Sequence, residues 1–437
     1  MRADSRVYLP LLIASLLSGC AGTDDDGSAP PEGIGVAELE ASSRLPEPAV
    51  RRVDPPQLTP EQQRRQAEVD QLLAERYRGY KIVETTQAYS GDIIDWVDSD
   101  TIPGARLAPP PPPWSEKDLR PASGAQLART ELEAYPELRG PKGTTPIHRP
   151  DFSVYVMGET DAQSLQDYIE NYQVSGQPAG QNRLYAGLIT TAANKAIAGV
   201  INQFQGDVET GTLTLIEAAT LCRGWNEPTT LEMVGAVVSR DRANFGNSQT
   251  RIQVEFFTHG PTTFGNNVGG WDTFVTGFVP AAGRPYGPNS VVLASTPGLA
   301  TQQESRFDIS QDSSSNWWVA HNGNWLGYYP ASLFNLLSIS ACEAAWYGEV
   351  YDPTPTDWTW TDMGSGQFDT AGYAFASYVR NPTYLDLLGV GWYPGVHFAM
   401  GPVDAACYTR SALTTGATPW DRFFYLGGPG GNAVGCN

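Results

Sequence analysis

The sequence carries little positive charge. Its 437 residues include 28 Lys and Arg against 48 Asp and Glu, which gives a formal net charge of −20. A protein that neutralises nucleic-acid phosphates needs clustered Lys and Arg side chains. We therefore expect no nucleic-acid partner. The acidic composition instead favours a protein that tolerates acidic surroundings.

Histidine is also scarce, and the usual catalytic motifs are missing. The four histidines lie far apart and none has the spacing of a metal-binding motif: His148, His259, His321 and His397. Gly364-Ser365-Gly366 lacks the glycine spacing of a nucleophile elbow, and the glycine-rich residues 427–430 lack the strand-to-helix setting of a phosphate loop. We expect no metal and no cofactor. Carboxylates remain as the reactive groups.

Long apolar runs are lacking near the amino terminus. The apolar residues 7–17 are too few to span a bilayer as a helix, and they lead into Leu17-Ser18-Gly19-Cys20. This is the form of a bacterial lipoprotein signal. We predict a signal peptide over residues 1–19, a lipid on Cys20 and a disordered tether over residues 20–58. The protein would be exported, at the outer membrane or cell surface, touching the membrane only through this lipid.

Cysteine is rare, at five residues. Apart from Cys20, the remaining four are even in number and can form two disulfides in an oxidising compartment: Cys222, Cys342, Cys407 and Cys436. Their spacing alone leaves three pairings open.

The residues that are abundant favour strands and turns. The chain has 45 Gly, 34 Pro, 20 Tyr and 12 Trp. Short alternating segments recur at 152–157, 251–256, 274–279 and 291–293, which predicts antiparallel strands in a β-sandwich or a barrel. Residues 190–202 fit a helix or a strand equally well.

One helix is predicted before the strand-rich region. Thr59 with Gln62 forms a capping-box pattern, Val69 and Leu72 begin an apolar stripe, and Gly79 supplies a stop. A strand at residues 91–97 follows, and the polyproline run at 109–113 acts as a spacer.

The least ordinary stretch is residues 316–366, in which the carboxylate of Glu349 lies between the aromatic pair Trp346-Tyr347 and Val350. Seven short motifs, in chain order, resemble the neprosin family of prolyl endopeptidases. They are Gly91-Asp92-Ile93-Ile94-Asp95, Lys142-Gly143-Thr144-Thr145-Pro146-Ile147, Asn316-Trp317-Trp318, Gly327-Tyr328-Tyr329-Pro330, Trp346-Tyr347-Gly348-Glu349-Val350, Met363-Gly364-Ser365-Gly366 and Gly427-Gly428-Pro429-Gly430. The resemblance covers roughly residues 80–437.

The resemblance implies an all-β catalytic domain, a sandwich of two packed antiparallel sheets, over residues 142–437. A small α+β activation segment would precede it at residues 59–141. It further implies a glutamic endopeptidase with two catalytic glutamates. Glu349 carries over from the Trp-Gly-Gly-Glu-Val segment of the family. For the second we expect Glu232, in Thr230-Leu231-Glu232-Met233, with Glu217 as its rival.

The same resemblance implies the disulfide pairing and the substrate. The carboxy-terminal pair of the family matches Cys407 with Cys436, which leaves Cys222 to join Cys342. The substrate would be a proline-rich peptide or protein cut after proline at acidic pH by a monomer. Five aromatic residues either line its cleft or belong to the sandwich core: Trp317, Trp318, Tyr328, Tyr329 and Trp346.

A pair of glutamates is chemically sufficient for this reaction. Two close carboxylates cannot both ionise cheaply, so they share a proton over an acidic pH range. One then serves as the base for a water molecule and the other as the acid. The alternative is a lipid-anchored β-sandwich that binds peptide or polysaccharide without cutting it.

Overall fold

The computed structural model describes residues 58–112, 120–160, 162–174, 183–224, 231–259, 268–271, 274–352, 359–395, 397–399 and 404–436. The predicted signal peptide, Cys20, all of the predicted tether except Leu58, and the end of the polyproline run lie outside these ranges. In the described part, no helix is long and apolar enough to cross a membrane.

The α-helices are few and mostly near the amino terminus. They are α1 (Pro60–Arg76), α2 (Glu131–Ala134), α3 (Ser153–Met157), α4 (Leu165–Val174) and α5 (Arg242–Phe245). Short 3-10 helices occupy Ser99–Thr101, Pro136–Leu138, Ala331–Leu333, Asp369–Ala371 and Gly430–Asn432. The predicted start of α1 is confirmed, because Thr59 and Gln62 form the complete capping box.

Strands account for most of the ordered chain. They are β1 (Ile82–Gln87), β2 (Ile93–Asp98), β3 (Ala125–Leu127), β4 (Thr144–His148), β5 (Arg183–Asn194), β6 (Ala196–Asn202), β7 (Leu213–Arg223), β8 (Leu231–Asp241), β9 (Arg251–His259), β10 (Val268–Trp271), β11 (Val279–Pro280), β12 (Gln302–Gln311), β13 (Trp317–His321), β14 (Asn324–Tyr329), β15 (Ala341–Tyr351), β16 (Ser377–Leu385), β17 (Gly391–Trp392), β18 (Phe398–Ala399), β19 (Thr409–Arg410), β20 (Thr414–Thr415) and β21 (Arg422–Gly427).

The strands build two large sheets that pack face to face, which confirms the predicted β-sandwich. A seven-stranded sheet has the order β10-β9-β8-β7-β15-β5-β18, and an eleven-stranded sheet is built on β11-β14-β13-β12-β6-β16-β21-β19. Pairing within them is antiparallel, except that β3 joins β12 in parallel. Strands β6 and β12 of the larger sheet contact β7 and β8 of the smaller one, and the core lies between them.

A third, small sheet crosses the predicted boundary at residue 141. It has the order β1-β2-β4, so β4 of the predicted catalytic domain pairs with β2 of the predicted activation segment. The segment also reaches the large sheet through β3. The two predicted domains are therefore built together in this form of the chain.

Some predicted strands were wrong. Residues 153–157 form helix α3, because Phe152, Tyr155 and Val156 are buried at a helical spacing and not at the alternate spacing of a strand. Most of 274–279 is a turn closed by backbone bonds to Trp271, and 291–293 make only isolated bridges. Residues 190–202, which fit a helix or a strand equally well from the sequence, lie almost wholly in strands β5 and β6.

Both expected disulfides are present. Cys222 on β7 joins Cys342 on β15, and Cys407 joins Cys436. The first fastens two neighbouring strands of the seven-stranded sheet. Disulfides persist in oxidising compartments, which indicates an exported protein.

Candidate active site

The seven-stranded sheet has one face inside the sandwich and one face outside it. Trp346 on β15 points inward, where its indole N–H donates to the carbonyl oxygen of Ala198 on β6 at 3.0 Å. Successive side chains of a strand alternate between faces, so Tyr347 and Glu349 point outward. The unbroken register places Glu217 of β7 directly opposite Tyr347.

Three carboxyl groups share this outward side, which we call the acidic face: Glu217, Glu255 and Glu349. The pairing of β7 with β8 and of β8 with β9 places Gln253 of β9 level with Glu217. Glu255 lies two residues further along β9 and therefore on the same face. Glu349 is a diagonal neighbour of Glu217, at the roughly 7–8 Å typical of such positions. Although the face looks outward, these side chains are covered, with 0 %, 3 % and 5 % of their surface exposed.

The side chains of Glu217 and Glu255 approach each other across β8. The strand between them supplies Gly235 at the crossing point. A Cβ atom at Gly235 would overlap the Oε1 atom of Glu217 and lie 3.0 Å from the Cγ atom of Glu255. The missing side chain thus creates the space in which the two carboxyl groups meet.

Burial controls the acidity of this pair. It raises the pKa of Glu217 to about 7, although hydrogen bonds from Glu255 and Tyr347 and the charge of Arg183 act in the opposite direction. Burial also raises the pKa of Glu255, and the neighbouring Glu217 raises it further. At least one proton therefore stays on the pair at neutral pH.

Glu349 has a different electrostatic environment. Its carboxylate forms a buried ion pair with Arg183, the first residue of β5. The guanidinium also lies over the ring of Tyr351, 4.7 Å from its centroid. An adjacent guanidinium favours the charged form of a carboxylate. The acidic face thus combines a glutamate whose pKa is raised by burial with a glutamate paired to a guanidinium, the kind of contrast that acid–base catalysis uses.

Two tyrosines complete the acidic face. The hydroxyl of Tyr347 donates to Oε2 of Glu217, and the ring of Tyr185 packs edge-on against Tyr347 at 5.6 Å. Burial raises the pKa of both phenols, so they remain neutral donors. Tyr347 therefore fixes the orientation of the Glu217 carboxyl group.

The expected partner of Glu349 lies elsewhere. The pairing of β15 with β7, and of β7 with β8, places Ser239 of β8 level with Glu349 and on the same face of the sheet. Glu232 lies seven residues before Ser239 on β8. Because side chains alternate between faces and seven is odd, Glu232 points to the opposite face. Its carboxylate accepts three backbone N–H bonds of 2.8 Å from residues 335–337. The structure does not bring Glu232 and Glu349 together. Glu232 fastens a loop, and its rival Glu217 is the residue beside Glu349.

The five expected substrate-binding aromatic residues are buried away from the acidic face. Trp346 lies inside the sandwich, and Trp317 donates its indole N–H to the carbonyl oxygen of Leu337 at 2.8 Å. Tyr329 is fully buried. The rings of Trp318 and Tyr328 lie 4.7 Å apart, and the Tyr328 hydroxyl reaches the Gly104 carbonyl oxygen of the predicted activation segment. The alternative role as sandwich core describes the positions of Trp317, Tyr329 and Trp346, whereas Trp318 and Tyr328 lie on the other face of the larger sheet.

Sequence reasoning missed Arg183, Tyr347 and Glu255 as members of the site. A signal for Glu255 was present, because Arg251, Gln253 and Glu255 alternate with apolar residues, which predicts a polar stripe on one face of β9. Arg183 gave no such signal, since its role depends on the pairing of β5 with β15.

The chemistry available on the acidic face is proton transfer. Within the described ranges, no group of three or more His, Cys, Asp or Glu side chains is arranged to hold a metal ion. Glu217, whose pKa is raised by burial, Glu349, which is paired with Arg183, and the hydroxyl of Tyr347 together can activate a water molecule and stabilise a developing oxyanion.

Comparison with known families bears on this arrangement. Residues 219–429 match the model of the family described as Neprosin. The matched region covers 211 of the 437 residues, slightly less than half of the chain. The neprosin match includes Glu232, Glu255 and Glu349 and begins just after Glu217. This match supports a peptidase of the glutamic type.

Solved structures similar to this chain include two peptidases. One is scytalido-glutamic peptidase with a peptide-based transition-state analog, at 7 % identity and a TM-score of 0.30, covering 56 % of this chain and 98 % of that one. The other is SCP-B, a member of the eqolisin family of peptidases, in a complex with the tripeptide Ala-Ile-His, with the same identity, coverage and TM-score.

Proposed function

We propose that this protein is a glutamic endopeptidase in which Glu349 is the general base and Glu217 the general acid. The observation that carries the proposal is the acidic face itself. One carboxyl group, Glu217, keeps its proton through burial, and a diagonal neighbour, Glu349, is paired with Arg183. In this proposal Glu217 takes the place of Glu232, which was expected from the sequence as the catalytic partner of Glu349.

The hydrolysis would proceed through attack by water. Glu349 takes a proton from a water molecule as its oxygen bonds to the peptide carbonyl carbon. The Glu217 carboxyl group and the Tyr347 hydroxyl face the developing oxyanion. When the C–N bond breaks, Glu217 gives its proton to the leaving amine nitrogen. The proton held by Glu349 then restores Glu217, and no covalent intermediate forms.

The described form of the chain would be the inactive precursor. A substrate needs access to Glu217 and Glu349, and both are covered. Helix α4 contacts β10, the neighbour of β9 on the edge of the same sheet. We propose that removal of the segment at residues 59–141, with movement of α4, uncovers the acidic face. Lipidation at Cys20 would keep the precursor on the membrane until then.

The proposed substrate is a peptide cut after proline, at acidic pH. The motifs shared with the neprosin family support this preference, and Tyr185 and Tyr347 of the face, with the neighbouring Tyr351, offer aromatic rings for contact with a proline ring. Activity should fall as the pH rises through about 7, because Glu217 then loses the proton that it must donate.

The test is cleavage of a proline-containing peptide by the full chain, after processing, between about pH 2 and pH 8. Products would be identified by mass spectrometry. Glu349→Gln and Glu217→Gln should each lower kcat/KM by roughly 100-fold or more, the scale of general acid–base catalysis. Glu343→Gln is the matched control on β15, because its carboxylate pairs with Arg223 near the surface at 3.0 Å and should leave kcat/KM unchanged.

Glu232→Gln separates the two candidate acids. It should lower the melting temperature, since three backbone N–H groups lose a charged acceptor, while kcat/KM of the folded protein stays within about tenfold of wild type. Full activity in Glu217→Gln together with loss in Glu232→Gln would overturn the assignment. A processed wild type that binds such peptides without cleaving them would support the binding module instead.

A further inference from the structure

Residues 386–393, which connect β16 to β17 and include β17, concentrate exposed apolar side chains. Fourteen large apolar residues are exposed in the described ranges, and five of them fall within residues 387–393. Leu388 has 88 % of its surface exposed, and Leu387, Val390 and Trp392 have 46 % to 50 %. Single exposed apolar residues are ordinary, whereas a contiguous group of them marks a contact surface. We call residues 386–393 the apolar loop.

The apolar loop is folded around its one charged residue, Asp386. The Asp386 carboxylate accepts hydrogen bonds from the backbone N–H groups of Leu388 and Val390, both at 2.9 Å, and from the indole N–H of Trp392 at 2.8 Å. The N–H of Asp386 donates to the carbonyl oxygen of Val390, and the N–H of Gly389 donates to that of Asp386, each at 3.0 Å. At least four of the five backbone N–H groups of residues 386–390 are therefore bonded inside the loop.

These features fit a lipid bilayer better than a protein partner. A standard protein interface takes about 800 Å² and roughly 20–30 residues on each side, far more than a loop of eight residues offers. In the apolar part of a bilayer, backbone N–H groups must be bonded within the protein, and those of this loop already are. Leucine and valine suit the acyl chains, and tryptophan suits the boundary with the headgroups.

We propose that the apolar loop inserts into the surface layer of a lipid bilayer and holds one end of the sandwich against the membrane. It would add a second contact to the lipid predicted on Cys20. The exposed Lys195 lies at the base of the loop, where its N–H donates to the carbonyl oxygen of Leu385 at 3.0 Å, and a lysine there suits headgroup phosphates. Because the chain has a net charge of −20, insertion should depend on the apolar side chains and should not need anionic lipid.

The position of the loop also sets how the sandwich would face the membrane. Strand β5 begins at Arg183, which pairs with Glu349, and ends at Asn194, next to Lys195. At about 3.3 Å per residue, Arg183 and Lys195 lie roughly 40 Å apart along the strand. The end of the acidic face that carries Arg183 would therefore point away from the membrane. Insertion itself does not rest on the proposed peptidase activity.

The test is flotation of residues 21–437 with vesicles of phosphatidylcholine. The omitted residues lie outside the described fold and carry the predicted signal and lipid, so binding must come from the rest of the chain. Wild type should float with the vesicles, and the double variant Leu387→Ser with Leu388→Ser should partition at least about tenfold less. Ile339→Ser is the matched control, because Ile339 is 75 % exposed but isolated, and its partitioning should stay within about twofold of wild type.

Asp386→Ala separates the folded loop from its apolar side chains. It keeps all of these side chains but removes the acceptor of three N–H groups, and it should lower partitioning at least about threefold. Wild-type partitioning in this variant or in the double variant would overturn the proposal. So would a wild type that ignores the vesicles and sediments as a dimer that the double variant does not form, because the loop would then bind a second copy. Flotation needs no catalysis, so an absence of peptide cleavage would overturn the function proposed above and leave this result unchanged.

Discussion

At the scale of single residues, the buried environment of Glu217 explains its proposed role as an acid and also makes the folded state less stable at high pH. A glutamate in an unfolded chain has a pKa near 4.5, whereas burial raises the pKa of Glu217 to about 7. Between these values the folded state binds more protons than the unfolded state. Stability therefore falls as the pH rises from about 4.5 to 7, and the penalty is fully present above 7.

This linkage predicts an effect of Glu217→Gln that is separate from activity. Glutamine resembles the protonated glutamate but cannot ionise. The variant should have the melting temperature of wild type at about pH 4 and a higher one at about pH 8. Thermal unfolding followed by circular dichroism at both pH values measures the difference. Glu343→Gln, which loses a partly exposed pair with Arg223, should show changes within about 0.5 kcal/mol at either pH. A difference for Glu217→Gln that does not grow with pH would contradict a buried, protonated Glu217.

At the scale of elements, the alternation of strands was readable from the sequence but their register was not. The sequence placed Glu349 on a strand and gave Glu217 and Glu232 as alternatives for its partner. Only the pairing of β7 with β8 and β15 shows that Glu217 shares the face of Glu349 while Glu232 points away. A shift of one residue would reverse that result. Long-range register depends on tertiary packing, so local patterns left this choice open.

The aromatic residues show the same limit. Trp317 and Trp346 were recognisable as unusual, yet a local pattern does not distinguish a cleft from a core. Their indole N–H groups bond to backbone carbonyl oxygens of Leu337 and Ala198 inside the sandwich. Gly348 of the same motif is inside as well, and a Cβ there would meet the Sδ atom of Met363 at 2.6 Å. Much of the family resemblance is therefore packing around the site and not the site itself.

Two glycines of the seven-stranded sheet give a prediction at this scale. Gly235→Ala on β8 would press a methyl group against the Oε1 atom of Glu217, which belongs to a side chain. Gly187→Ala on β5 would press one against the backbone of Tyr347 and Trp346. The first should lower kcat/KM at least tenfold with a small loss of stability. The second should destabilise the pairing of β5 with β15 and lower the yield of folded protein.

Melting temperature and kcat/KM per folded molecule, measured side by side for the two variants, check this contrast. Both positions have ordinary backbone angles, so strain of the glycine backbone does not enter the comparison. Equal losses of stability in Gly235→Ala and Gly187→Ala, with activity unaffected in the former, would mean that Gly235 serves the sheet and not the carboxyl pair.

At the scale of the whole molecule, the predicted activation segment is fixed to the sandwich by a buried ion pair. Arg251 of β9 binds Asp92, which precedes β2, with 3.0 Å between Nη2 and Oδ1. Arg251 also donates to the carbonyl oxygen of Asn289 at 2.9 Å, and His148 lies 3.7 Å from Asp92. Burial alone would raise the pKa of Asp92, but Arg251 and His148 together hold it well below its usual range.

The direction of that pKa shift decides how the segment can be released. A carboxylate whose pKa is lower in the folded state than in the unfolded state stabilises the fold when the pH is above its unfolded pKa. This stabilisation is lost as the pH falls from the unfolded pKa to the folded pKa. The ordinary value is 3.8, so mild acid leaves the contact between Asp92 and Arg251 intact. Release of the segment therefore requires cleavage of the chain and not acidification alone.

Asp92→Asn tests this attachment. The change leaves Arg251 buried with an uncharged partner, and breaking a buried ion pair on one side typically costs about 3–5 kcal/mol. We expect faster amide hydrogen exchange in β1 and β2 of the full chain at about pH 6, and faster processing of the segment. Asp98→Asn is the matched control, because Asp98 belongs to the same small sheet but pairs with the exposed Lys81 at 3.3 Å, a contact worth about 0–1 kcal/mol. Exchange that is equally slow in both variants would show that the segment is held by its packing and by β3, and that the ion pair is dispensable.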